Sequence, residues 1–144
     1  MSEFLERYRR AFAAFDAEAI ADMFAYPCQL TSDESEVTVT TVPSREAWLP
    51  QVERLVAAYK AIGVHAAEIL ELQVTELTRQ LAQAVVHWAL VDGAGARIYE
   101  FNAAYTLADL SQGLRITAIA HNETPRLHAL LDARQRDPPR DQTV

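Results

Sequence analysis

The segment Ala84 to Glu123, AVVHWALVDGAGARIYEFNAAYTLADLSQGLRITAIAHNE, carries His87, Glu100, Asn102 and His121 inside apolar runs that read as strands. Two histidines and a carboxylate are the donor types of a metal centre, and burying such a group unpaired costs roughly 1 to 3 kcal/mol. A second set of polar atoms suits a small-molecule pocket: the hydroxyls of Tyr8, Tyr26, Tyr99 and Tyr105, with Asn122. Placed at the wall of an apolar hollow containing Trp88 and Phe101, they are the few polar tips that orient a hydrophobic ligand. Cys28 is the lone cysteine, has no histidine near it in sequence and follows a proline, so it packs as a small apolar residue rather than acting as a nucleophile.

The bulk properties narrow the classes. A chain of 144 residues is about one domain, and 50% hydrophobic with 23% charged residues is an ordinary globular balance. Apolar runs stop well short of the 18 or so residues of a membrane span. The start, MSEFLERYRR, has acidic residues and no continuous apolar stretch, so the expected place is the cytoplasm, with no membrane partner. A single cysteine rules out an internal disulfide and a C-x-x-C motif. A formal net charge of -7 repels phosphate backbones, so no nucleic-acid partner is expected.

The elements that must hold these groups follow from periodicity. Ser2 caps a first helix with Phe4, Leu5, Tyr8, Ala11, Phe12 and Phe15 on one stripe. Asp16 caps a second, shorter helix with Ala19, Ile20, Met23 and Phe24, ended by Pro27. Short strands follow around Cys28 to Thr31 and Glu36 to Val42, joined by the polar turn SDES, in which Asp33 reads as a turn residue. A third helical region from Pro43 and Ser44 contains Pro50, which predicts a kink or a start near Leu49, and Gly63 supplies the stop. From His65 to Glu123 there are three long strand candidates, with turn signals at ELTRQ, DGAGA and DLSQG. A last helix opens at Pro125. Residues 133–144 read as a loose tail behind a single domain, residues 1–132. Helices first, one helix between strands, then an antiparallel meander is the α+β class, a curved sheet wrapped around helices as a cone.

Alternation chooses the register. Pairing Asp92 with Arg97 around GAGA places Trp88 opposite Phe101, Leu90 opposite Tyr99, Val86 opposite Ala103, His87 opposite Asn102 and Ala89 opposite Glu100, whereas the odd-loop register mixes polar and apolar on both faces. Extending the meander by pairing Leu107 with Leu114 gives an inner face that includes Ala118 and Ala120. It leaves an outer face with His87, Glu100, Asn102, Ile119, His121 and Glu123, and Glu100 directly across from His121. A face half apolar and half charged is what a dimerising sheet surface looks like, so these four residues are expected at a homodimer interface. Glu100 meets only one histidine directly, so no metal is expected.

The opening stretch RYRRAFAAFDAEAIADMFA, with Tyr8, the Asp16 cap, Ala19-Ile20 and Met23-Phe24, together with the closing strand GLRITAIAHNE, resembles the nuclear transport factor 2-like (NTF2-like) superfamily, which includes ketosteroid isomerases and SnoaL-like cyclases. The likeness spans about Phe4 to Glu123. It implies a cystatin-like α+β roll, a cone-shaped pocket, paired subunits and a small hydrophobic ligand with no cofactor. Isomerases of this group use a carboxylate base and donors for the developing enolate. Tyr8 falls on their donor tyrosine, Ser32 on their base with Asp33 as the adjacent carboxylate, and Ala103 near their second acid. The expectation is a cofactor-free isomerase, cyclase or hydratase with Asp33 as base and Tyr8 or Tyr105 as donor. The competing expectation is a non-catalytic dimeric module whose cone is filled by side chains.

Overall fold

The computed structural model describes residues 2–136. Its elements are α1 (Ser2–Ala13), α2 (Ala17–Asp22), β1 (Phe24–Asp33), β2 (Val37–Val42), α3 (Arg45–Ala61), β3 (Ala66–Glu76), β4 (Leu81–Val91), β5 (Arg97–Leu110), β6 (Gly113–His121) and α4 (Thr124–Arg136). Capping follows the sequence. Asp16 accepts the Ala19 amide at 3.1 Å and Ser44 the Ala47 amide at 3.2 Å, each satisfying a donor the first turn leaves open. Gly63 takes φ 81° to end α3, a conformation open to glycine without a Cβ penalty.

Three local expectations change. The helix α3 runs unbroken through Pro50. The proline lies close to the N-terminus, where losing one intrahelical bond is tolerated because Val52, Val56 and Tyr59 are buried further along. The strand β1 begins at Phe24, so Phe24 belongs to the sheet and Pro27 does not mark a helix end; the β1–β6 register shifts between Phe24 and Gln29, the kind of irregularity that accommodates a proline without an amide. The three turn signals divide residues 66–121 into four strands rather than three. Helix α4 spans Thr124–Arg136, and residues 137–144 of the expected tail lie outside the described residues.

The sheet order is β2-β1-β6-β5-β4-β3, antiparallel except for the parallel β1–β6 pair. Strands β2 and β3 remain open edges, so the curved sheet is a cone-like roll and not a closed α+β barrel. From Leu90 on Tyr99 inward the β4–β5 register is the expected one, with Trp88 on Phe101, Val86 on Ala103, His87 on Asn102 and Ala89 on Glu100, but next to the turn the register shifts and Arg97 pairs with Val91 rather than Asp92.

The β5–β6 register differs. Leu107 pairs with Ile116 rather than Leu114, and the register shifts again before Thr106 meets Ala118. Thr117 is the extra residue of this bulge. Because side chains alternate, one inserted residue exchanges the faces of everything beyond it. Ile119 and His121 therefore turn inward, and Ala118 and Ala120 turn outward beside Thr106 and Ala104.

The core fills the space between the inner sheet face and the helices. Leu5 and Ile20 from the helices meet Val86, Leu90, Leu107 and Ile116 from the strands, each no more than 2% exposed. Burial of such side chains contributes about 1.5 to 3 kcal/mol apiece. The pairing of Leu107 with Ile116 secures the bulged hairpin. Ile116→Ala is expected to lower the unfolding free energy by about 2 to 5 kcal/mol in urea denaturation, with a loss below about 1 kcal/mol contradicting this placement.

Candidate functional site

Between the sheet and helices α1 and α3 lies a cavity with about 100 Å³ of space for the centres of water molecules. One water centre needs roughly 10 to 15 Å³, so the cone is not filled by its own side chains. Its walls are mostly aromatic and aliphatic, with Tyr8 and Phe12 from α1, Trp48 and Tyr59 from α3, and Trp88 and Phe101 from the sheet. Tyr8 stands at the centre of the aromatic cluster, edge-on to Phe12 at 5.1 Å and to Tyr105 at 5.7 Å between ring centroids.

Glu123 supplies the carboxyl of this cavity. It is the residue that sequence reasoning missed, because the regular register put it on the outer face. The bulge at Thr117 brings the end of β6 round. Glu123 is then fixed on both sides: its amide donates to His121 Nδ1 at 3.2 Å, and its carbonyl accepts from Arg126 and Leu127 in the first turn of α4. Its side chain is 8% exposed. The hydroxyls of Tyr59 and Tyr99 both donate to Oε2, Tyr99 at 2.7 Å. Oε1 takes no hydrogen bond among the described residues. A signal for it did exist in the sequence: Tyr99 faces the core and a buried phenol needs an acceptor.

Electrostatics follow from this burial. Loss of water pushes the Glu123 carboxyl above its ordinary value, and the two phenol hydrogen bonds pull it back only in part. Burial likewise raises the phenols of Tyr8, Tyr59, Tyr99 and Tyr105, with the Glu123 charge adding to each. His121 is lowered by burial, offset by the charge of Glu34. Since its Nδ1 accepts an amide hydrogen, the neutral ring carries its proton on Nε2.

The expected site residues divide. Tyr8 and Tyr105 line the cavity, and the Tyr105 hydroxyl accepts from Trp88 Nε1 at 2.9 Å. Trp88 and Phe101 line it too. Asp33 does not: it is exposed at the end of β1, paired with Val37 in the hairpin, outside the cavity. Ser32 faces inward, 9% exposed, and donates to Thr124 Oγ1 at 3.1 Å. Ala103 is a small wall residue. Tyr26 is tied to the Ala21 carbonyl at 2.7 Å, Tyr99 stands behind Glu123, and Asn122 accepts the Asn102 amide at 2.8 Å, so these three are outside the lining.

On the outer face His87 Nε2 pairs with Glu100 Oε1 at 2.9 Å and Arg97 with Glu100 Oε2 at 3.0 Å. His121 is not across from Glu100; it pairs with Ala103 and lines the cavity. Among the described residues no group of three or more His, Cys, Asp or Glu could hold a metal ion. Cys28 is buried, which pushes its thiol up to about 11 and away from the reactive thiolate. No helix among the described residues is long and apolar enough to cross a membrane.

An open, curved six-stranded sheet with helices on its concave side defines the NTF2-like class with a cystatin-like fold. Within it, the chain belongs to the family described as NTF2-like protein (DUF6841), matched over residues 1–124. No curated protein matches it. An NTF2-like protein with a cystatin-like fold from Novosphingobium aromaticivorans is 19% identical with a TM-score of 0.65, over 90% of this chain and 84% of that one. A candidate ketosteroid isomerase from Shewanella frigidimarina is 14% identical with a TM-score of 0.62, over 83% of this chain and 92% of that one. A candidate dehydratase of the NTF2-like family from Streptomyces avermitilis is 11% identical with a TM-score of 0.61, over 84% and 91%. Likeness at these identities shows the fold.

The buried carboxyl has a consequence for stability. Glu123 sits above the 4.5 of an ordinary glutamate, so the folded protein binds this proton more tightly than the unfolded chain does. Its contribution is then intact below the unfolded value and is lost as pH rises through the folded one. Glu123→Gln removes the titration, so urea denaturation from about pH 4 to about pH 8 is expected to show the variant gaining on the wild type as pH rises. A stability difference that does not change with pH would contradict the assignment.

Proposed function

We propose that the cavity holds a small, mainly apolar molecule and that Glu123 moves a proton on it, making the protein a cofactor-free isomerase, cyclase or hydratase of the cytoplasm. The observation that carries this reading is the asymmetry of the carboxyl: Oε2 is anchored by two phenols, while Oε1, on a side chain that lines the cavity, takes no hydrogen bond among the described residues. Glu123 thus takes the part that the resemblance gave to Asp33.

The chemistry follows from the atoms present. Ionised Oε1 takes a proton from a carbon next to a carbonyl, and negative charge builds on the carbonyl oxygen. Tyr8 or Tyr105 donates to that oxygen, and the Trp88 N–H on the Tyr105 hydroxyl strengthens the Tyr105 proton as a donor. Protonated Oε1 then returns the proton to another carbon. The apolar walls desolvate the carboxylate, which keeps it basic.

The test is deuterium uptake at the methyl group of acetophenone in D₂O, followed by NMR. Glu123→Gln is expected to slow protein-dependent exchange by about 10²- to 10⁴-fold, the usual size of a general-base contribution, while Asp33→Asn stays near wild type. Exchange that survives Glu123→Gln and falls with Asp33→Asn would refute the assignment.

The outer face supports a second part of the reading, a homodimer through β4 and β5. Val85 is 48% exposed there beside the His87, Glu100 and Arg97 pairs and Asn102. Sedimentation of His87→Ala with Glu100→Ala is expected to show weaker self-association. An unchanged profile would remove these residues from any interface.

A further inference from the structure

Among the described residues no cation pairs with Glu123. The ion pairs among the described residues are Arg9 with Glu6, Arg45 with Asp22, and Glu100 with His87 and Arg97, and none includes Glu123. Two basic side chains line the cavity, and both are committed elsewhere. Arg9 is held by Glu6 and reaches the Ala67 carbonyl at 3.5 Å. His121 accepts the Glu123 amide through Nδ1, and burial favours its neutral form.

The same carboxyl faces aromatic rings. Tyr8, Phe12, Trp48, Tyr59, Trp88 and Phe101 line the cavity with aromatic side chains, and a desolvated cation is attracted to aromatic rings. A buried carboxyl with one free oxygen, no counter-charge and aromatic walls is complementary to one kind of polar head. The net charge of -7 adds a long-range pull of the same sign.

We infer that the natural occupant of the cavity carries a basic nitrogen, an apolar amine whose ammonium pairs with Glu123 Oε1 while its hydrocarbon body lies against the aromatic wall. Charge and protons balance in either form. A protonated amine entering beside a neutral carboxyl sends the Oε1 proton to solvent, and a free amine takes that proton directly. In both cases the cavity ends with one ammonium and one carboxylate. This inference rests on the cavity being a ligand site and not on turnover there: an ammonium on Oε1 occupies the oxygen that would take the carbon proton, so the amine is a bound ligand and not the carbon acid of the exchange reaction.

Three probes of one shape decide it: benzylamine, benzyl alcohol and benzoate, titrated into the full-length protein by calorimetry at neutral pH. Benzylamine is expected to bind at least about tenfold more tightly than benzyl alcohol, the factor of one further charge-assisted contact, with benzoate weakest. In Glu123→Gln the preference for the amine is expected to vanish while benzyl alcohol is retained. The wild-type ranking stands alone if that variant does not fold. Equal binding of amine and alcohol would overturn the amine inference and leave the cavity a ligand site. An amine preference that survives Glu123→Gln would place the charge contact elsewhere, and binding by none of the three would overturn both this inference and the ligand reading. Amine binding without exchange on acetophenone would sink turnover alone.

Discussion

A carboxyl group withdrawn from water must give up its charge or be held by donors, and Glu123 is held by two phenols on one oxygen. Much else in the molecule follows from that arrangement. Tyr59 has to come down from α3 and Tyr99 has to rise from β5 to reach the same atom, so the pair ties the helical layer to the end of the sheet. Burial sets the acidity, and the phenols keep the group from being driven out of the fold.

The bulge at Thr117 is what makes this possible. With regular alternation beyond Ile116, the Cβ atoms of Ile119 and His121 would lie on the outer face and Ala118 and Ala120 on the inner one. The extra residue exchanges the two sets, and it delivers the strand end so that the Glu123 amide meets His121 Nδ1 and its carbonyl starts α4. Small side chains outward and a polar dyad inward are thus one consequence of one insertion. In this sheet the bulge re-aims side chains toward the hollow rather than interrupting a defective strand.

Much of the fold could be read from residue pattern. The caps at Asp16 and Ser44, the stop at Gly63 and the β4–β5 register all follow from local chemistry, because only one alignment keeps Trp88, Leu90, Tyr99 and Phe101 on a single face. Of the residues the pattern singled out, Tyr8, Trp88, Phe101 and Tyr105 line the cavity, and all four lie on regular stretches. The acid of the site was not legible, since a period of two cannot announce the residue at which it fails. Asp33 drew attention as the carboxylate adjacent to the isomerase position, yet Ser32 is the one that faces inward there. The fold keeps the hollow and draws its carboxyl from the other end of the sheet.

Glu123 is a buried carboxyl whose proton is held more firmly than that of an exposed glutamate. Titration of its side-chain carboxyl carbon by ¹³C NMR, assigned through Glu123→Gln, reads this without a ligand or a substrate. The account predicts a midpoint above the ordinary glutamate value of 4.5, falling to neither that value nor below it. A midpoint at or under it would show a solvated or ion-paired carboxylate, and the acid at the end of β6 would lose the role given to it.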